Sequence, residues 1–556
     1  MATVMLLAVI IRIRLNFGQE LLPGINGGYY PLLSRNLLEY GSIRYPDAPL
    51  VHWLTAGLSW MIGVVSGLSK DHAAILSVRL LDSLIPPLAC IPVFLYAYRF
   101  VPGESRKVAI SVIMSSFSIM YLSPLVILSS DMLKNSVGLV FLTSFLFYAL
   151  RAINSSDKRD YLIAFLFLIL TGLTHIGSFA VAVAFVLIAG LVILLRSLKS
   201  VDINRIILIL ISLSVIILIS FALLRNDPGR LSRVQSIWLN PLRLFESPYL
   251  FLLLNGQNPY SGFLWHNFLL VNLLSIAGVL IVLFNLRKLS FRERACALSL
   301  SLLSLFLSSP LIGIEWALRY QLMAYLPVIF LYIYIFRFIK NKFVQYGLIT
   351  FFGLLTLISG IGGFTAIREP AITTESYQDL KRIRDSVEIR GDDLVIARHG
   401  LEWWTGWVLR CRTGKEYCLR QSDWERYPDI YLLRQVKGNN YTDLMGSNQF
   451  SEFMIPESSV QVYSSDLFNL YRLNRPAPDE FYPGELPLVQ GRVDAITGNT
   501  LFVLADGYRQ KVIYNSKTDF PVIHADSIKP GMRIDIWGRR TPFSLKIRAE
   551  QILIIN

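Results

Sequence analysis

The chain alternates long apolar segments with short polar loops. Seven of the segments approach the roughly 20 residues with which an α-helix crosses a bilayer, and three others (75–98, 108–123 and 161–174) contain Pro or Ser or are a little short but are also predicted to cross. Apolar residue types make up 53% of the 556 residues and charged types only 17%, a composition typical of a membrane protein with many spans. The segments lie at residues 75–98, 108–123, 132–150, 161–174, 177–195, 206–224, 267–286, 295–313, 321–339 and 345–364.

The first apolar segment, from Ala2 to Leu15, is too short for a full span and contains Arg12 and Arg14. A cleaved signal peptide would carry a basic leader and a small-residue cleavage site, and the segment has neither. We therefore interpret it as a first membrane span whose N-terminal end precedes this sequence.

Lys and Arg are distributed unevenly among the loops. The short loops 124–131 and 174–177 contain none, and the alternate loops carry basic clusters at residues 99–107, 151–159, 196–205, 287–294 and 337–342. Basic loops favour the cytoplasmic side, provided that residues 51–68 lie on the outer face without crossing. The pattern predicts about 11 spans in the cell membrane, with residues 365–556 outside. It also explains much of the net charge of +14 without a nucleic-acid partner, since no basic and aromatic platform for such a strand is visible.

The composition changes near residue 365. Residues 365–475 begin with ESYQDLKRIRDSVEIRGDDLVIARHG, which predicts a helix and then a strand of an extracytoplasmic α/β domain. The proline-rich segment NRPAPDEFYPGELP introduces a last unit, residues 476–556, whose alternating pattern predicts a small OB-like β-barrel. In the external part, Cys411 and Cys418 are candidates for a disulfide.

The predicted fold is thus a polytopic α-helical membrane domain over residues 1–364, followed by the α/β and β-barrel domains. Its first external loop, residues 16–74, is unusually large. Pro31 to Tyr40 has an amphipathic spacing, with Leu33 and Leu37 on one helical face and Arg35 and Glu39 pointing elsewhere, and Gly41 is a typical helix stop. We interpret this segment as a short helix along the membrane face.

Polar residues at the outer ends of the spans are the candidates for chemistry, because charge at a membrane edge is costly. The first loop supplies the carboxylates Glu20, Glu39 and Asp47. The next external loop supplies Asp131, with Lys134 on the following helical turn, and a later turn supplies His175. A helix-capping role for Asp131 and a structural role for His175 stay open.

Several arginines also fall on the outer side, against the charge trend of the loops. They are Arg225, Arg230, Arg233, Arg243 and Arg319. They either contact lipid headgroups or bind a phosphate, which suits the planar guanidinium group.

Carboxylates together with arginines at the outer end of a bundle suggest sugar transfer from a polyprenyl-phosphate-linked donor. A carboxylate would deprotonate the acceptor or hold a divalent cation, Mg²⁺ or Mn²⁺, at the leaving phosphate. The acceptor would be a lipid, a glycan or a protein. The sequence has no glycine-rich nucleotide loop, no pair of CxxC motifs and no HExxH motif, which argues against ATP-driven or zinc-hydrolase chemistry.

Three stretches of this sequence resemble the GT-C superfamily of membrane glycosyltransferases, which includes protein O-mannosyltransferases, aminoarabinose transferases and oligosaccharyltransferase catalytic subunits. They are GINGGYYPLLSRNLLEYGSIRYPDAPLVHWL, RLLDSLIPPLACIPVFLYAYRF and ALRYQLMAYLP. The resemblance covers about residues 1–420. It implies an essential acidic residue in the first loop and a polyprenyl-phospho-sugar donor. It also implies substrate-binding roles for Asn26, Tyr29, Tyr30, Arg35, Lys134, His175 and Arg319.

This chain departs from the superfamily pattern at two places. Asn26 stands where an acidic residue often precedes the glycine-aromatic step, so Asp131, Glu20, Glu39 or Asp47 would take the catalytic role. LEWWTGW is similar to the Trp-Trp-Asp motif of oligosaccharyltransferases, but Thr405 replaces the Asp. Trp403 and Trp404 then either line an acceptor groove or serve as core or interfacial anchors.

Three alternatives to a simple sugar transferase stay open. The first is oligosaccharyltransferase-like transfer of a whole glycan to Asn, which the missing Asp weighs against. The second is a transporter of lipid-linked sugars, for which the repeated halves and interrupted spans typical of transporters are not visible. The third is a non-catalytic relative that lost the acid at Asn26.

Overall fold

The computed structural model describes residues 1–129, 131–155, 157–197, 239–255, 262–414, 419, 421–436, 455, 458–475, 487–505, 508–520 and 527–555. The predicted span 206–224, three of the outer arginines (Arg225, Arg230 and Arg233) and Cys418 lie outside the described residues.

Seven helical segments of the described chain are long and apolar enough to cross a membrane. They are Lys70–Phe100, Arg106–Ile127, Leu133–Ser155, Ile176–Ile193, Phe268–Lys288, Trp316–Phe338 and Lys342–Thr365. These segments indicate a mainly helical integral membrane protein. They do not confirm the predicted count of about 11 spans.

The described helices up to residue 365 are α1 (Ala2–Phe17), α2 (Tyr29–Tyr40), α3 (Leu50–Ser66), α4 (Lys70–Leu84), α5 (Cys90–Phe100), α6 (Glu104–Met120), α7 (Leu133–Ser155), α8 (Lys158–Thr174), α9 (Ile176–Ser197), α10 (Tyr249–Leu254), α11 (Gly262–Asn285), α12 (Phe291–Ser308), α13 (Ile314–Phe338) and α14 (Lys342–Thr365). Three predicted spans fall on α1, α8 and α12, which have 16, 17 and 18 residues and do not join the seven. Pro86 and Pro87 form a 3₁₀ turn that connects α4 with α5 inside the segment Lys70–Phe100.

Residues 51–68, predicted to stay on the outer face, form α3, an apolar helix of 17 residues. Its side chains Trp53, Trp60 and Val65 are exposed, whereas Val51 and Ala56 are buried. An exposed apolar face with tryptophans suits a helix that lies against lipid. That α3 does not cross the membrane stays a prediction.

Helix α2 begins two residues before the predicted Pro31 and ends as predicted, with Gly41 in the left-handed region at φ 67°. The predicted amphipathic pattern is only partly correct. Leu33 and Leu37 are buried, but Arg35 is buried as well, with 2% of its surface exposed. Its guanidinium donates to the carbonyl oxygens of Trp407 and Gly406, at 2.8 and 3.2 Å, so hydrogen bonds to a neighbouring helix compensate its burial.

The part of the chain after α14 begins with an α/β unit. Its helices are α15 (Thr374–Ser386), α16 (Leu401–Leu409) and α17 (Gln421–Arg426), and its strands are β1 (Leu394–Ile396), β2 (Arg412–Gly414), β3 (Ile430–Gln435), β4 (Val460–Ser464) and β5 (Phe468–Arg472). The strand order is β2-β1-β3-β5-β4, with β1 parallel to β2 and β3, and β3, β5 and β4 antiparallel. Cys411, which precedes β2, is buried and forms no disulfide with another described cysteine, and burial raises the pKa of its thiol to about 12. The predicted bridge to Cys418 stays a prediction, because Cys418 lies outside the described residues.

The last unit is a closed barrel of five strands. They are β6 (Val489–Thr497), β7 (Thr500–Ala505), β8 (Tyr508–Ile513), β9 (Arg533–Arg540) and β10 (Lys546–Ile555), in the order β10-β8-β7-β6-β9. The predicted β-rich C-terminal region is thereby confirmed. Its core consists of inward-facing aliphatic residues such as Val503, Val512 and Ile536, as the alternation of apolar and polar residues predicts.

The first external loop and the α/β unit share one hydrophobic core. Leu32 and Leu33 of α2 pack with Trp404 and Trp407 of α16 and with Leu380 of α15. The approach is close because the loop presents glycine at the contact. A Cβ on Gly28 would lie 2.8 Å from the carbonyl carbon of Trp403 and from the amide nitrogen of Trp404, a distance at which backbone atoms must shift.

The Gly28→Ala variant should therefore separate α16 from the first loop. Because the added methyl meets backbone atoms, we expect a loss of about 1–3 kcal/mol in the free energy of unfolding, measured as a lower melting temperature of the purified protein. The control is Gly57→Ala in α3, where a Cβ meets nothing within 4 Å. This change should be neutral or stabilising by up to about 1 kcal/mol. Equal melting temperatures of the two variants would contradict a tight contact between Gly28 and the backbone of Trp403 and Trp404.

Candidate functional site

A buried ion pair lies inside the membrane bundle. The Arg12 guanidinium of α1 contacts the Asp82 carboxylate of α4, with Nη2 2.8 Å from Oδ1, and the two side chains are 2% and 0% exposed. Arg12 Nε also donates to the Asp82 carbonyl oxygen at 2.6 Å, and Asn16 donates to Asp82 Oδ2 at 2.8 Å. A charge in such a place is tolerated only when it is paired and hydrogen-bonded.

This ion pair also holds the segment that leads to Asp131. Arg12 donates to the Pro124 carbonyl oxygen and to Ser136 Oγ, and Ser129 donates to Asp82 Oδ2 at 3.2 Å. Pro124 lies in a π-helical turn, Ser123–Ile127, a feature that is frequent at functional sites. The loop before α7 is thus anchored at several points to charges within the bundle.

Asp131 lies at the end of this loop, with 3% of its surface exposed. Its Oδ1 accepts from the backbone amide of Asn26 at 2.8 Å and from Asn26 Nδ2 at 3.1 Å. Its Oδ2 lies 3.3 Å from Nη2 of Arg368, which follows α14. Gly24 makes room for the carboxylate, because a Cβ there would lie 2.5 Å from the Asp131 side chain. The first loop, the second external loop and the end of the last membrane helix therefore meet at Asp131.

Asp47 is the centre of a second cluster. Lys134 Nζ lies 3.0 and 2.8 Å from its two carboxylate oxygens, His52 Nε2 lies 2.9 Å from Oδ2, and the Tyr29 hydroxyl donates to Oδ2. Lys134 is one helical turn from Asp131 along the chain, so the two clusters are neighbours. Tyr30 lies between them, with its hydroxyl accepting from the Lys134 amide at 3.4 Å. Burial raises the pKa of Tyr30 well above its usual value, so its phenol stays protonated.

In both clusters the cation is more exposed than the carboxylate. The carboxylate side chains of Asp47 and Asp131 are 1% and 4% exposed, whereas the cations Lys134 and Arg368 are 17% and 12% exposed. The cation is therefore the more accessible member of both pairs. This arrangement favours an anionic group such as a phosphate, which both cation types bind well.

Two predicted carboxylates lie away from these clusters in their described contacts. Glu20 is exposed and accepts from the Thr374 hydroxyl at 3.2 Å. Glu39 pairs with Arg410 at 3.4 Å and with Arg35 at 3.9 Å. Both connect the first loop to the α/β unit, and their catalytic roles stay predictions.

His175 begins the turn into α9 and is 9% exposed. Its Nδ1 accepts from the Ser178 amide at 3.2 Å, as in a helix cap. It also packs against Gly138, one turn after Lys134 on the same face of α7, where a Cβ would lie 3.3 Å from His175 Cβ. Arg319 is exposed on α13, with its guanidinium 5.7 Å from the Trp316 ring. Its phosphate-binding role stays a prediction.

The two adjacent tryptophans differ in environment. Trp404 is 0% exposed and packs with Tyr377 at 5.7 Å between ring centroids, so it is a core residue. Trp403 packs against Tyr29 at 4.6 Å and Tyr45 at 5.7 Å, which places it directly behind the Asp47 cluster. Thr405 is buried and donates to the Leu401 carbonyl within its own helix.

The groups around Asp131 do not fit a divalent cation. Magnesium and manganese prefer several oxygen ligands, and the described partners of this carboxylate are two N–H groups and a guanidinium. Within the described residues, no group of three or more His, Cys, Asp and Glu side chains is placed to hold a metal ion. The predicted Mg²⁺ or Mn²⁺ therefore stays a prediction without a site.

Several residues of the site were not predicted from the sequence. They are Arg12, His52, Asp82 and Arg368. Arg12 lies within the first apolar segment and Asp82 within the segment 75–98. A charged residue inside an apolar segment indicates a buried partner of opposite charge, so the sequence did contain a signal for this ion pair.

No family model and no curated protein matches the chain. The structure is similar to the oligosaccharyltransferase of Archaeoglobus fulgidus in the apo form, with a TM-score of 0.52 and 14% identity, over 78% of this chain and 69% of that chain. It is also similar to the archaeal oligosaccharyltransferase AglB from Archaeoglobus fulgidus in complex with an inhibitory peptide and a dolichol-phosphate, with a TM-score of 0.51 and 13% identity over the same shares. A third likeness is to ArnT from Cupriavidus metallidurans, with a TM-score of 0.48, 12% identity and 85% and 96% coverage.

The first two likenesses define the class of fold. The protein shares the overall fold of these two Archaeoglobus fulgidus oligosaccharyltransferase structures, in agreement with the resemblance drawn from the sequence. At 13 and 14% identity they show the fold alone, so the activity is argued below from the site.

The buried ion pair provides a test of the structure around Asp131. The Arg12→Met variant leaves Asp82 charged without its cation, so we expect a loss of about 3–5 kcal/mol in the free energy of unfolding, seen as a lower melting temperature. The double variant Arg12→Met/Asp82→Asn removes both charges and should recover part of this loss.

The matched control is Arg14→Met, two residues away on α1. Arg14 is exposed and makes a single described hydrogen bond, to the Ala366 carbonyl at 3.2 Å, so its removal should cost less than about 1 kcal/mol. Similar melting of the Arg12→Met and Arg14→Met variants would mean that the buried pair does not hold the bundle.

Proposed function

We propose that this protein transfers a sugar from a polyprenyl-phosphate-linked donor to an acceptor at the extracytoplasmic face of the cell membrane. The observation that supports this most directly is that the cations Lys134 and Arg368 are more exposed than the carboxylates Asp47 and Asp131. A lipid-linked phosphate that arrives from the bilayer meets the cations, and the sugar it carries lies towards the carboxylates.

The proposed reaction is an inverting displacement at the anomeric carbon. The acceptor oxygen forms a bond to this carbon, its proton passes to the Asp131 carboxylate, and the bond from carbon to the phosphate oxygen breaks. The leaving group is polyprenyl phosphate, whose charge Lys134 and Arg368 stabilise. The GT-C fold and the acceptor-side aromatic wall of Tyr29 and Trp403 support this direction of attack.

Donor binding would also open the base to the acceptor. In the described state Arg368 contacts the Asp131 carboxylate at 3.3 Å. A phosphate competes with Asp131 for the same guanidinium. When Arg368 turns to the phosphate, Asp131 Oδ2 loses this partner and is open to a hydrogen bond from the acceptor hydroxyl.

An oligosaccharyltransferase-like transfer is the second candidate. The AglB structure contains a peptide and a dolichol-phosphate, and α16 of this chain holds two adjacent tryptophans beside the site. Thr405 weighs against it, because its hydroxyl is bonded inside the helix at 2.9 Å and offers no carboxylate to an acceptor. A lipid or glycan hydroxyl is therefore our preferred acceptor. The transporter and the non-catalytic relative remain as outcomes of the experiment below.

The decisive experiment is sugar transfer by the purified protein from a panel of radiolabelled polyprenyl-phospho-sugars, with and without EDTA. The Asp131→Asn variant should lose about 10²–10⁴-fold in turnover, the usual contribution of a general base. Arg368→Gln should weaken donor binding, seen as a higher KM for the donor. Release of polyprenyl phosphate without acceptor is scored in parallel.

The matched control is Asp385→Asn, an exposed carboxylate at the end of α15 with 65% of its side chain accessible, which should leave turnover unchanged. Loss of turnover in EDTA would revive the metal role predicted for Mg²⁺ or Mn²⁺. A wild type that is inert with every donor, beside an active Asn26→Asp variant, would identify a non-catalytic relative. Donor binding without any transfer would favour a transporter.

A further inference from the structure

The terminal barrel carries an excess of positive charge that the proposed reaction does not use. Between residues 487 and 555 there are ten Lys and Arg against six Asp and Glu. The charges are not spread evenly, because several fall on the outward positions of β8, β9 and β10. Their arrangement across the strands is the reason to look for a partner.

Like charges lie directly opposite each other in this part of the barrel. Lys546 of β10 is paired in register with Lys511 of β8, and Arg548 of β10 with Arg539 of β9. Directly opposed side chains have Cβ atoms only about 4.5–5.5 Å apart, so like charges there are destabilising. A sheet that keeps two such pairs side by side is organised for an anion outside it.

Little within the described barrel neutralises these cations. Arg539 pairs with Glu550 at 2.9 Å, but Lys511, Lys546 and Arg548 have no ion pair or hydrogen bond through their side chains to any described residue. Lys546 and Arg548 are exposed, and Lys511 is partly exposed. We call these three residues the basic face.

The basic face begins where the barrel is fixed to the membrane domain. The turn between β9 and β10, residues 541–545, hydrogen-bonds to the segment before α10: the Phe543 amide donates to the Phe245 carbonyl at 3.0 Å, and the Ser247 amide to the Ser544 carbonyl at 3.2 Å. The rings of Phe245 and Phe543 stack at 5.1 Å. We call residues 541–545 the docking turn. Lys546 comes directly after it.

The docking turn lies close to the membrane surface. The segment that receives it hydrogen-bonds in turn to the start of α13, with the Gly313 amide donating to the Leu244 carbonyl at 2.7 Å. Gly313 precedes the candidate span Trp316–Phe338 by three residues, roughly 5 Å of helix. Arg548 is two strand residues beyond Lys546, about 7 Å. Lys546 and Arg548 therefore follow closely in the chain a turn that is held, through residues 244–247, at the start of this candidate span.

This is also the membrane face of the candidate site. Helices α13 and α14 are consecutive spans joined by a short link, so α13 begins at the end of the bundle where α14 finishes. Arg368, just after α14, pairs with Asp131. The barrel and the Asp131 cluster thus share one side of the membrane.

Apolar side chains surround the docking turn. Phe543 is 47% exposed. Leu239 and Leu242 are 76% and 49% exposed, and they lie close in sequence to the segment before α10 that hydrogen-bonds to the docking turn. Phe543 adopts φ 53°, a left-handed conformation that is costly for a bulky residue. Exposed apolar residues beside cations are typical of a surface that rests on lipid headgroups.

We propose that the basic face binds the anionic headgroups of phospholipids in the membrane that this protein crosses, and that this contact holds the barrel flat against the bilayer beside the site. The opposed cations explain the choice of ligand. A headgroup phosphate placed between them replaces the repulsion by attraction. Each basic residue near an anionic membrane contributes a factor of about five in binding.

The experiment uses the full chain in nanodiscs of phosphatidylcholine alone or mixed with phosphatidylglycerol, followed by hydrogen–deuterium exchange of peptides that cover residues 508–513 and 541–549. We expect exchange in the wild type to slow at least about fivefold in the anionic nanodiscs, and the effect to disappear at high salt. The triple variant Lys511→Gln/Lys546→Gln/Arg548→Gln should show no difference between the two lipid mixtures.

The control variant, Arg390→Gln/Arg434→Gln/Lys529→Gln, removes the same number of charges. Lys529 precedes the start of β9 and is therefore at the end of the barrel opposite the docking turn, and Arg390 and Arg434 belong to the α/β unit. This variant should respond to phosphatidylglycerol as the wild type does. Melting of the triple variant at or above the wild-type temperature in phosphatidylcholine shows that it is folded, since its like-charge pairs are gone.

Three results would overturn the proposal. They are equal protection in both lipid mixtures, a lipid response that survives in the triple variant, and protection by soluble dextran sulfate in the absence of any response to phosphatidylglycerol. The last result would assign the basic face to an anionic polymer outside the membrane.

Discussion

The contact between Arg12 and Asp82 is the interaction on which the site depends. Both side chains are almost fully buried in a part of the bundle where an unpaired charge would cost several kcal/mol. Their remaining donors and acceptors form hydrogen bonds with Pro124, Ser129 and Ser136. These bonds compensate the burial of the two charged groups and at the same time hold the loop before Asp131. Because the buried pair needs these hydrogen bonds, it also fixes the position of the Asp131 carboxylate at the end of the loop.

The site is assembled from segments far apart in sequence. Asn26 reaches Asp131 across 105 residues and Arg368 reaches it across 237, and Trp403 closes the Asp47 side from the α/β unit. Because the first loop and the α/β unit share one core, movement of either unit would displace Tyr29 and hence Asp47. The α/β unit therefore acts as a support for the site.

The sequence predicted those features that depend on local pattern. Apolar length predicted the membrane helices, alternation predicted the barrel strands, and Gly41 predicted the end of α2. It placed Asp131, Asp47, Lys134 and Tyr29 among the candidates, and the structure brings these together. It did not predict Arg368 or His52, because nothing in their neighbourhood of the chain indicates a carboxylate partner. Arg35 was assigned to a polar face for the same reason, since its partners are carbonyl groups more than 370 residues away.

Both proposed anion-binding regions of this molecule are built around cations. In the candidate site Lys134 and Arg368 contact Asp47 and Asp131, so a phosphate bound there would have to compete with the carboxylates for these cations. On the barrel, Lys511, Lys546 and Arg548 have no such internal partners among the described residues, so nothing needs to be displaced when a headgroup binds. The first arrangement suits turnover, because product must leave. The second suits a lasting contact with the membrane.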